Sequence, residues 1–157
     1  MGFLSWLEST AYSEWIVSGL TGWPLMLSMH AVGLALIVGM MFTLNLRVFG
    51  YFKPIPFTAL GGLMGIGWVG IALNIFSGLS LFMAQATFYI TSPPFIVKIT
   101  FIILGIANLH YMQKVLKREG IDWDAAGAAP QLGVILAASS LVFWTIGVVA
   151  GRLIAYL

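Results

Sequence analysis

The two histidines, His30 and His110, are the residues of this chain with the clearest potential for chemistry, because each lies in a long apolar stretch. An ionisable side chain inside a membrane span is a candidate functional site by default, since placing it there is costly. Neutral imidazole is also a common ligand of transition metals and of haem iron. The sequence contains no cysteine, which excludes disulfides, iron–sulfur clusters and thiolate metal sites.

The stretch that holds His30, residues 23–52, contains a run of roughly 22 mostly apolar residues, enough to cross a hydrocarbon core of about 30 Å as a helix. Hydrophobic residues make up 61% of the chain and charged residues only 8%, whereas a soluble domain has about 25% charged residues. The expected environment is therefore the lipid bilayer. The 157 residues suffice for one domain of four spans, and the net charge of +2 is too small to suggest nucleic acid as a partner.

Apolar runs and turn residues predict an all-α integral membrane fold, an antiparallel four-transmembrane-helix bundle with an N-terminal interfacial amphipathic helix. The interfacial helix is expected at residues 1–21, where apolar and polar side chains are mixed. The alternative for this segment is an extra half-turn that leads directly into the first span. The transmembrane domain is residues 22–157, with helices expected at about 24–49, 58–86, 94–117 and 131–156.

The connections between spans are predicted from prolines and charges. Pro54 and Pro56 indicate a turn after the first span. Residues 87–94 are expected to form a short uncharged loop that ends in a helix start. The charged residues between Lys114 and Asp124 are expected to form a solvated loop.

Small residues at helical spacing predict close contacts between spans, because they let two backbones approach. In the second span they form one face, which consists of Gly67, Gly70, Asn74 and Gly78. Two further small pairs have a spacing of four residues: Gly61 with Gly65, and Gly147 with Gly151.

The orientation in the membrane is predicted from basic residues near the ends of the spans, which favour the cytoplasmic side. Five basic residues lie at one side: Arg47, Lys53, Lys114, Lys117 and Arg118. Only Lys98 and Arg152 lie at the other. We therefore expect a multi-pass protein of the prokaryotic inner membrane with the N-terminus and C-terminus in the periplasm or outside.

The two histidines are predicted to lie at different depths. Counting from the expected helix ends at about 1.5 Å per residue, His30 lies about 9 Å from the outer end of its helix and His110 about 10 Å from the cytoplasmic end of its helix. Their depths then differ by about 15 Å, which is too far for both to bind one metal ion or one haem iron. If the histidines are ligands, there are two sites.

Each level has a thioether and a cation near the imidazole. The outer level combines His30 with Met83, Lys98 and Arg152. The inner level combines His110 with Met40, Met41, Met64, Asn45 and Arg47. Histidine with methionine or a second histidine, and cations near the propionates, are what a b-type haem in a helical bundle requires. The candidate cofactor-binding residues are His30, His110, Met83, Met41, Arg152 and Arg47, with His30 and His110 as metal ligands.

Other interpretations of the same residues stay open. Histidine with methionine also suits copper, particularly Cu(I). Both histidines can instead be polar packing residues, and Lys98 and Arg152 can extend to the head groups. In a two-fold dimer each histidine could pair with its own copy. No intramembrane carboxylate, Ser/His/acid arrangement or phosphate-binding loop is evident, so no catalytic residue is assigned.

The segment from His30 to Gly50, a helix that starts with a buried histidine and ends in Leu46-Arg47-Val48-Phe49-Gly50, resembles the first helix of a group of small, largely uncharacterised bacterial four-helix membrane proteins. That group is loosely similar to the membrane domain of copper-resistance D proteins. Asn45 stands here where the group would have an acidic residue before the Leu-Arg pair. The resemblance implies a prokaryotic inner-membrane protein with histidine-based ligation.

These observations lead to one expected function and two alternatives. The expected function is a small cytochrome-b-like electron-transfer subunit that holds haem b through His30, His110 or both, without catalytic activity of its own. The first alternative is a non-catalytic accessory or scaffold subunit of a larger respiratory or oxygenase complex in the membrane. The second is a copper-handling membrane protein. A homo-oligomer or a larger membrane complex is expected in each case.

Overall fold

The computed structural model describes residues 2–156, and within this range the chain is helical without a β-strand. Its helices are α1 (Phe3–Glu8), α2 (Ala11–Ser18), α3 (Gly22–Val48), α4 (Leu60–Ala84), α5 (Ala86–Thr91), α6 (Pro93–Ala126) and α7 (Gln131–Leu153), with a 3-10 turn at Phe57–Ala59 before α4. Four of them, α3, α4, α6 and α7, are long and apolar enough to cross a membrane. The all-α, membrane-type fold expected from the sequence is confirmed at this level.

The N-terminal segment forms two short helices instead of one. Thr10 separates them, because its side chain accepts a hydrogen bond from the backbone N–H of Ser13 and so caps the start of α2. Gly19 follows α2 in an extended conformation, so α2 does not run directly into the first span. Ile16 of α2 packs with Met26 of α3 and Leu81 of α4 in a small apolar cluster. The segment therefore lies against the ends of α3 and α4.

The predicted loop at residues 87–94 contains a further helix, α5. Its first turn is held by Glu8, whose Oε1 accepts hydrogen bonds from the backbone N–H (2.8 Å) and the hydroxyl (2.7 Å) of Thr87. This contact joins residues that are far apart in the sequence, so local sequence signals could not indicate it. The predicted helix start is observed, because Ser92 is extended and α6 begins at Pro93.

The charged stretch after Lys117 is helical, not a loop, and α6 continues to Ala126. Gly120 and Trp123 are buried on one side of this extension, whereas most of the charged side chains between them and around them are exposed. The extension is therefore amphipathic and is stabilised by packing. It ends at Gly127, whose φ of +70° is the left-handed conformation that suits glycine at a helix end.

The closest contact between long helices is the one between α3 and α4, and it uses the predicted small-residue face. A Cβ atom placed on Gly70 would lie 2.8 Å from the carbonyl oxygen of Gly33, and one on Gly67 would meet Met40. The prediction of a close-packing face on the second span is thus confirmed. Gly61 and Gly65 have no atom within 4 Å of such a Cβ, so this pair faces outward.

The apolar core fills one half of the bundle, the half that contains the C-terminal end of α3. Its buried members come from residues 37–48, 57–71, 109–123 and 137–144. Toward the other ends of these helices lies a smaller apolar cluster around Ile16 and Met26. The interior there contains polar and small residues instead, and it holds one of the two histidines.

Candidate functional site

His30 is half-buried in the half of the bundle that lacks the large apolar core, and its ring is held by α4. The His30 Nδ1 atom lies 3.0 Å from Ser77 Oγ. The Ser77 hydroxyl donates its own proton to the carbonyl oxygen of Leu73, at 2.7 Å. Because a hydroxyl has one proton, Ser77 with its proton on the Leu73 carbonyl can accept a hydrogen bond from the tautomer of His30 that carries the proton on Nδ1. A neutral imidazole in this tautomer carries a free lone pair on Nε2.

The backbone around His30 is fixed by the same helix pair. The Asn74 Nδ2 donates to the carbonyl oxygen of His30 at 3.1 Å, so Asn74 is the interhelical contact expected from the sequence. Gly78 leaves room for the ring, because a Cβ there would lie 3.3 Å from His30 Cε1. Within the described residues, Nε2 makes no hydrogen bond. Contacts of this kind, which fix the ring and its tautomer, are typical around histidine ligands.

Lys98 brings a positive charge to the same region. It is half-buried on α6, and its aliphatic stem packs against Gly151 of α7, where a Cβ would lie 3.3 Å from Lys98 Cδ. Its charge acts electrostatically on His30. In the described part of the chain Lys98 forms no ion pair. The acidic residues of the same half of the bundle, Glu8 and Glu14, line the cleft beside α5. The region is therefore suited to an anionic group.

The polar face of α4 continues beyond Ser77, with residues that the sequence reading missed. Tyr12 of α2 places its hydroxyl 2.8 Å from Ser80 Oγ and 3.9 Å from Met26 Sδ. Ser77 and Ser80 follow Asn74 at intervals of three residues, and this spacing was the available signal. Met83 is half-buried further along α4, and its carbonyl oxygen accepts from Ser13 Oγ at 3.2 Å.

Arg152, the other predicted outer cation, is exposed near the end of α7. Its guanidinium lies 5.8 Å from the centre of the Tyr156 ring, within the range of a cation–π contact. It directly follows Gly151, against which Lys98 packs. The structure thus brings His30 and Lys98 into one region, with Arg152 at its border.

The predicted inner group is not brought together. His110 is exposed on α6, where its ring meets the edge of Trp68 with 6.5 Å between centroids. Trp68 is fixed in turn by a 3.1 Å hydrogen bond from its Nε1 to Gln113 Oε1. Met41 is fully buried in the core and lies beside α7, whereas His110 lies beside α4.

Arg47 is engaged in holding the connection between α3 and α4. It is 4% exposed, its Nε donates to the carbonyl oxygen of Ile55, and its guanidinium lies 3.7 Å from the centre of the Phe57 ring. Asp124 of α6 binds the same turn, because its carboxylate accepts from the backbone N–H groups of Phe57 and Thr58. Arg47 therefore has structural partners in this turn, whereas its Nη1 is buried without a hydrogen-bond partner among the described residues.

A surface cleft and a narrow groove are each lined by residues other than histidine. A surface cleft of about 660 Å³ lies between the N-terminal helices and α5 and contains Glu8 and Glu14. A narrow groove of about 140 Å³ lies between α3 and α7 and contains Met41 and Asn45. Residues 2–156 contain no cluster of three or more His, Asp or Glu side chains suited to a metal ion.

Comparison of this chain with models of protein families, with curated proteins and with solved structures finds no match.

Proposed function

We propose that this protein is a small electron-transfer subunit of a prokaryotic inner membrane, an antiparallel four-span bundle with both termini outside, which holds a b-type haem through His30. The observation that carries the proposal is the orientation of the His30 ring. Its Nδ1–H is bound by Ser77, so Nε2 is left as a free lone pair. In that state the imidazole could hold haem iron.

The charges around His30 suit the same ligand. Haem carries two propionates, and Lys98 and Arg152 are the cations nearest to this end of the bundle. Haem supplies a one-electron redox centre, which the protein side chains lack. The contribution of this chain is to hold the imidazole, to place positive charge near the propionates and to seal one side of the site with α4.

A second chain fits this proposal. His110 is exposed beside Trp68, so it can reach a ligand only at the surface of the bundle. A partner subunit, or a second copy of this chain, would complete a site there and would supply a further ligand at His30. We therefore include a homo-oligomer or a larger membrane complex in the proposal.

The accessory-subunit function is a second candidate, favoured by the outward-facing pair Gly61 and Gly65. These glycines make no close contact within the described structure, and small residues of this kind let a helix of another subunit approach. Copper handling would use the same free Nε2 of His30, together with a methionine sulfur as a soft ligand.

The test is a visible spectrum of the purified protein in mild detergent, oxidised and then reduced with dithionite, with iron and copper measured on the same sample. We expect a Soret band that shifts and sharpens on reduction, and its loss in His30→Phe. His110→Phe is the matched control for a histidine replacement in a span, and it should retain the His30 site. A colourless, metal-free wild-type protein from cells with normal haem supply would contradict the haem and copper functions and would leave the accessory function.

The Ser77→Ala variant tests whether His30 is a ligand or a packing residue. Without its hydroxyl the His30 ring loses the partner that fixes its tautomer, so we expect a shifted reduced spectrum and a lower haem content, while Ser80→Ala should change neither. Identical spectra for Ser77→Ala and wild type would contradict the role assigned to Ser77.

A further inference from the structure

The groove between α3 and α7 contains a buried polar atom without a partner. Asn45 is 0% exposed, and its Nδ2 donates to Ser140 Oγ at 3.3 Å. Its Oδ1 has no hydrogen-bond partner within the described residues, although it is shielded from solvent. A buried carbonyl oxygen in this state is destabilising unless something donates to it. Asn45 is also one of the residues that line the groove.

The remaining walls of the groove are apolar, apart from Ser140 and Thr145. They are formed by Val38, Met41, Phe42, Leu141, Trp144, Val148 and Val149. Trp144 has its own unpartnered Nε1, but this atom lies against Gly105 of α6 and so faces away from α3. Asn45 Oδ1 is therefore the unpartnered acceptor among the residues that line the groove.

The size of the groove fits one ring. Its volume is about 140 Å³, close to that of an apolar cavity of about 150 Å³ that binds benzene in another protein. Its rim is exposed, with Phe42 at 49% and Val149 at 51%. In a bilayer these side chains face acyl chains, so an occupant enters sideways from the lipid and can leave an apolar tail there.

From this geometry we propose that the groove between α3 and α7 binds an aromatic hydroxyl, a phenol or hydroquinone ring on an apolar tail, whose O–H donates to Asn45 Oδ1. The ring fills the groove, the hydroxyl satisfies the buried acceptor, and the tail stays in the bilayer. This site is separate from His30, which contacts α4 and not α7. Binding in the groove therefore does not depend on haem at His30.

The test measures binding of 4-decylphenol and of its methyl ether, 4-decylanisole, to the full chain in lipid nanodiscs, with empty nanodiscs as the reference for partitioning. We expect saturable binding of the phenol with one site per chain, and binding of the ether weaker by about tenfold, because the ether cannot donate to Asn45. Equal binding of the two probes would overturn the proposal and would indicate a groove for any apolar chain.

Three variants locate the site. Asn45→Leu removes the acceptor and should weaken phenol binding by about tenfold without changing ether binding. Asn108→Leu is the matched control, since Asn108 is also buried with an unpartnered Oδ1 but contacts α7 from α6. Val148→Phe fills the groove without touching Asn45 and should abolish binding of both probes. Phenol binding that is unchanged in Asn45→Leu or in Val148→Phe, or reduced equally in Asn108→Leu, would overturn the proposal.

Discussion

Two arginines of this chain carry the same charge in opposite surroundings. Arg47 is buried, donates to a backbone carbonyl and covers the ring of Phe57, whereas the side chain of Arg118 is 73% exposed and pairs with its neighbour Glu119. A guanidinium is suited to the first position, because it can donate in its plane and stack with its face. Lysine cannot do both.

Replacement of each arginine by lysine should therefore have unequal effects. We expect Arg47→Lys to lower the free energy of unfolding by about 1–3 kcal/mol, since a buried charged donor and an aromatic contact are lost. Arg118→Lys should change it by less than about 0.5 kcal/mol, because an exposed ion pair contributes little. Denaturant unfolding in detergent micelles, followed by circular dichroism, measures both. Equal losses would contradict the structural role of Arg47.

The sequence alone indicated some residues of the candidate site. His30 and Lys98 were expected at one depth because helical rise alone fixes depth, and the structure brings them into one region. Ser77 was missed, because its contact depends on how α3 and α4 are rotated against each other. The rotation of α6 about its own axis likewise leaves His110 exposed beside Trp68, and that of α3 buries Met41 in the core.

Glu8 connects two short helices that are far apart in the sequence, and its contact depends on pH. Hydrogen bonds from the backbone N–H and the hydroxyl of Thr87 hold the pKa of Glu8 below its ordinary value of 4.5. A lowered pKa means that the folded state favours the carboxylate, so the contact stabilises α1 above the ordinary pKa and is lost as pH falls through the lowered one.

We therefore expect α1 to detach from α5 on acidification below the ordinary glutamate range. Hydrogen exchange at the Thr87 amide, corrected for its intrinsic pH dependence, should become several-fold faster in the wild type. In Glu8→Gln it should be faster at neutral pH and should show no such transition. Glu14→Gln, which changes a carboxylate in the same cleft, is the control and should behave like the wild type. A transition that persists in Glu8→Gln would contradict the assignment.

Replacement of a glycine by alanine should have different effects on stability at the two sides of α4. Gly70→Ala places a Cβ 2.8 Å from the Gly33 carbonyl oxygen, so the two backbones must separate, and we expect a loss of about 1–3 kcal/mol of unfolding free energy. Gly65→Ala meets open space and should be neutral or stabilise the helix by up to about 1 kcal/mol. Unfolding in detergent measures both. Equal effects would contradict the assignment of the two faces.

The element boundaries show which signals are local. Prolines and apolar runs located the four long helices, because the residues that end a helix and those that face the lipid belong to the helix itself or to its immediate neighbours in the sequence. The extension of α6 to Ala126 was not predicted, since its charges resemble a loop. It is held by contacts with a distant segment, namely the packing of Trp123 against Phe57 and the hydrogen bonds from the Phe57 and Thr58 backbone to Asp124. Helix α5 was missed for the same reason, because its first turn is held by the distant Glu8.

The topology of the whole molecule can be tested with single cysteines, because the chain has none. In the proposed orientation the connection between α3 and α4 faces the cytoplasm, as its basic residues favour. A membrane-impermeant maleimide should label Ser18→Cys in intact spheroplasts and Lys53→Cys only after permeabilisation. The reverse pattern would contradict the orientation with both termini outside.

The uneven interior of the bundle shapes the electric field across the membrane. The apolar core lies in the half that contains Met41, Met64 and Leu109, and the polar and small residues around His30 lie in the other half. The potential across a membrane falls mainly over its least polarisable layer. In the orientation that we propose, most of the voltage would fall between His30 and the cytoplasm. Moving a charge from the outside to His30 would then require little electrical work. Moving a charge from His30 to the cytoplasm would require most of it, so the membrane voltage would act mainly on this second step.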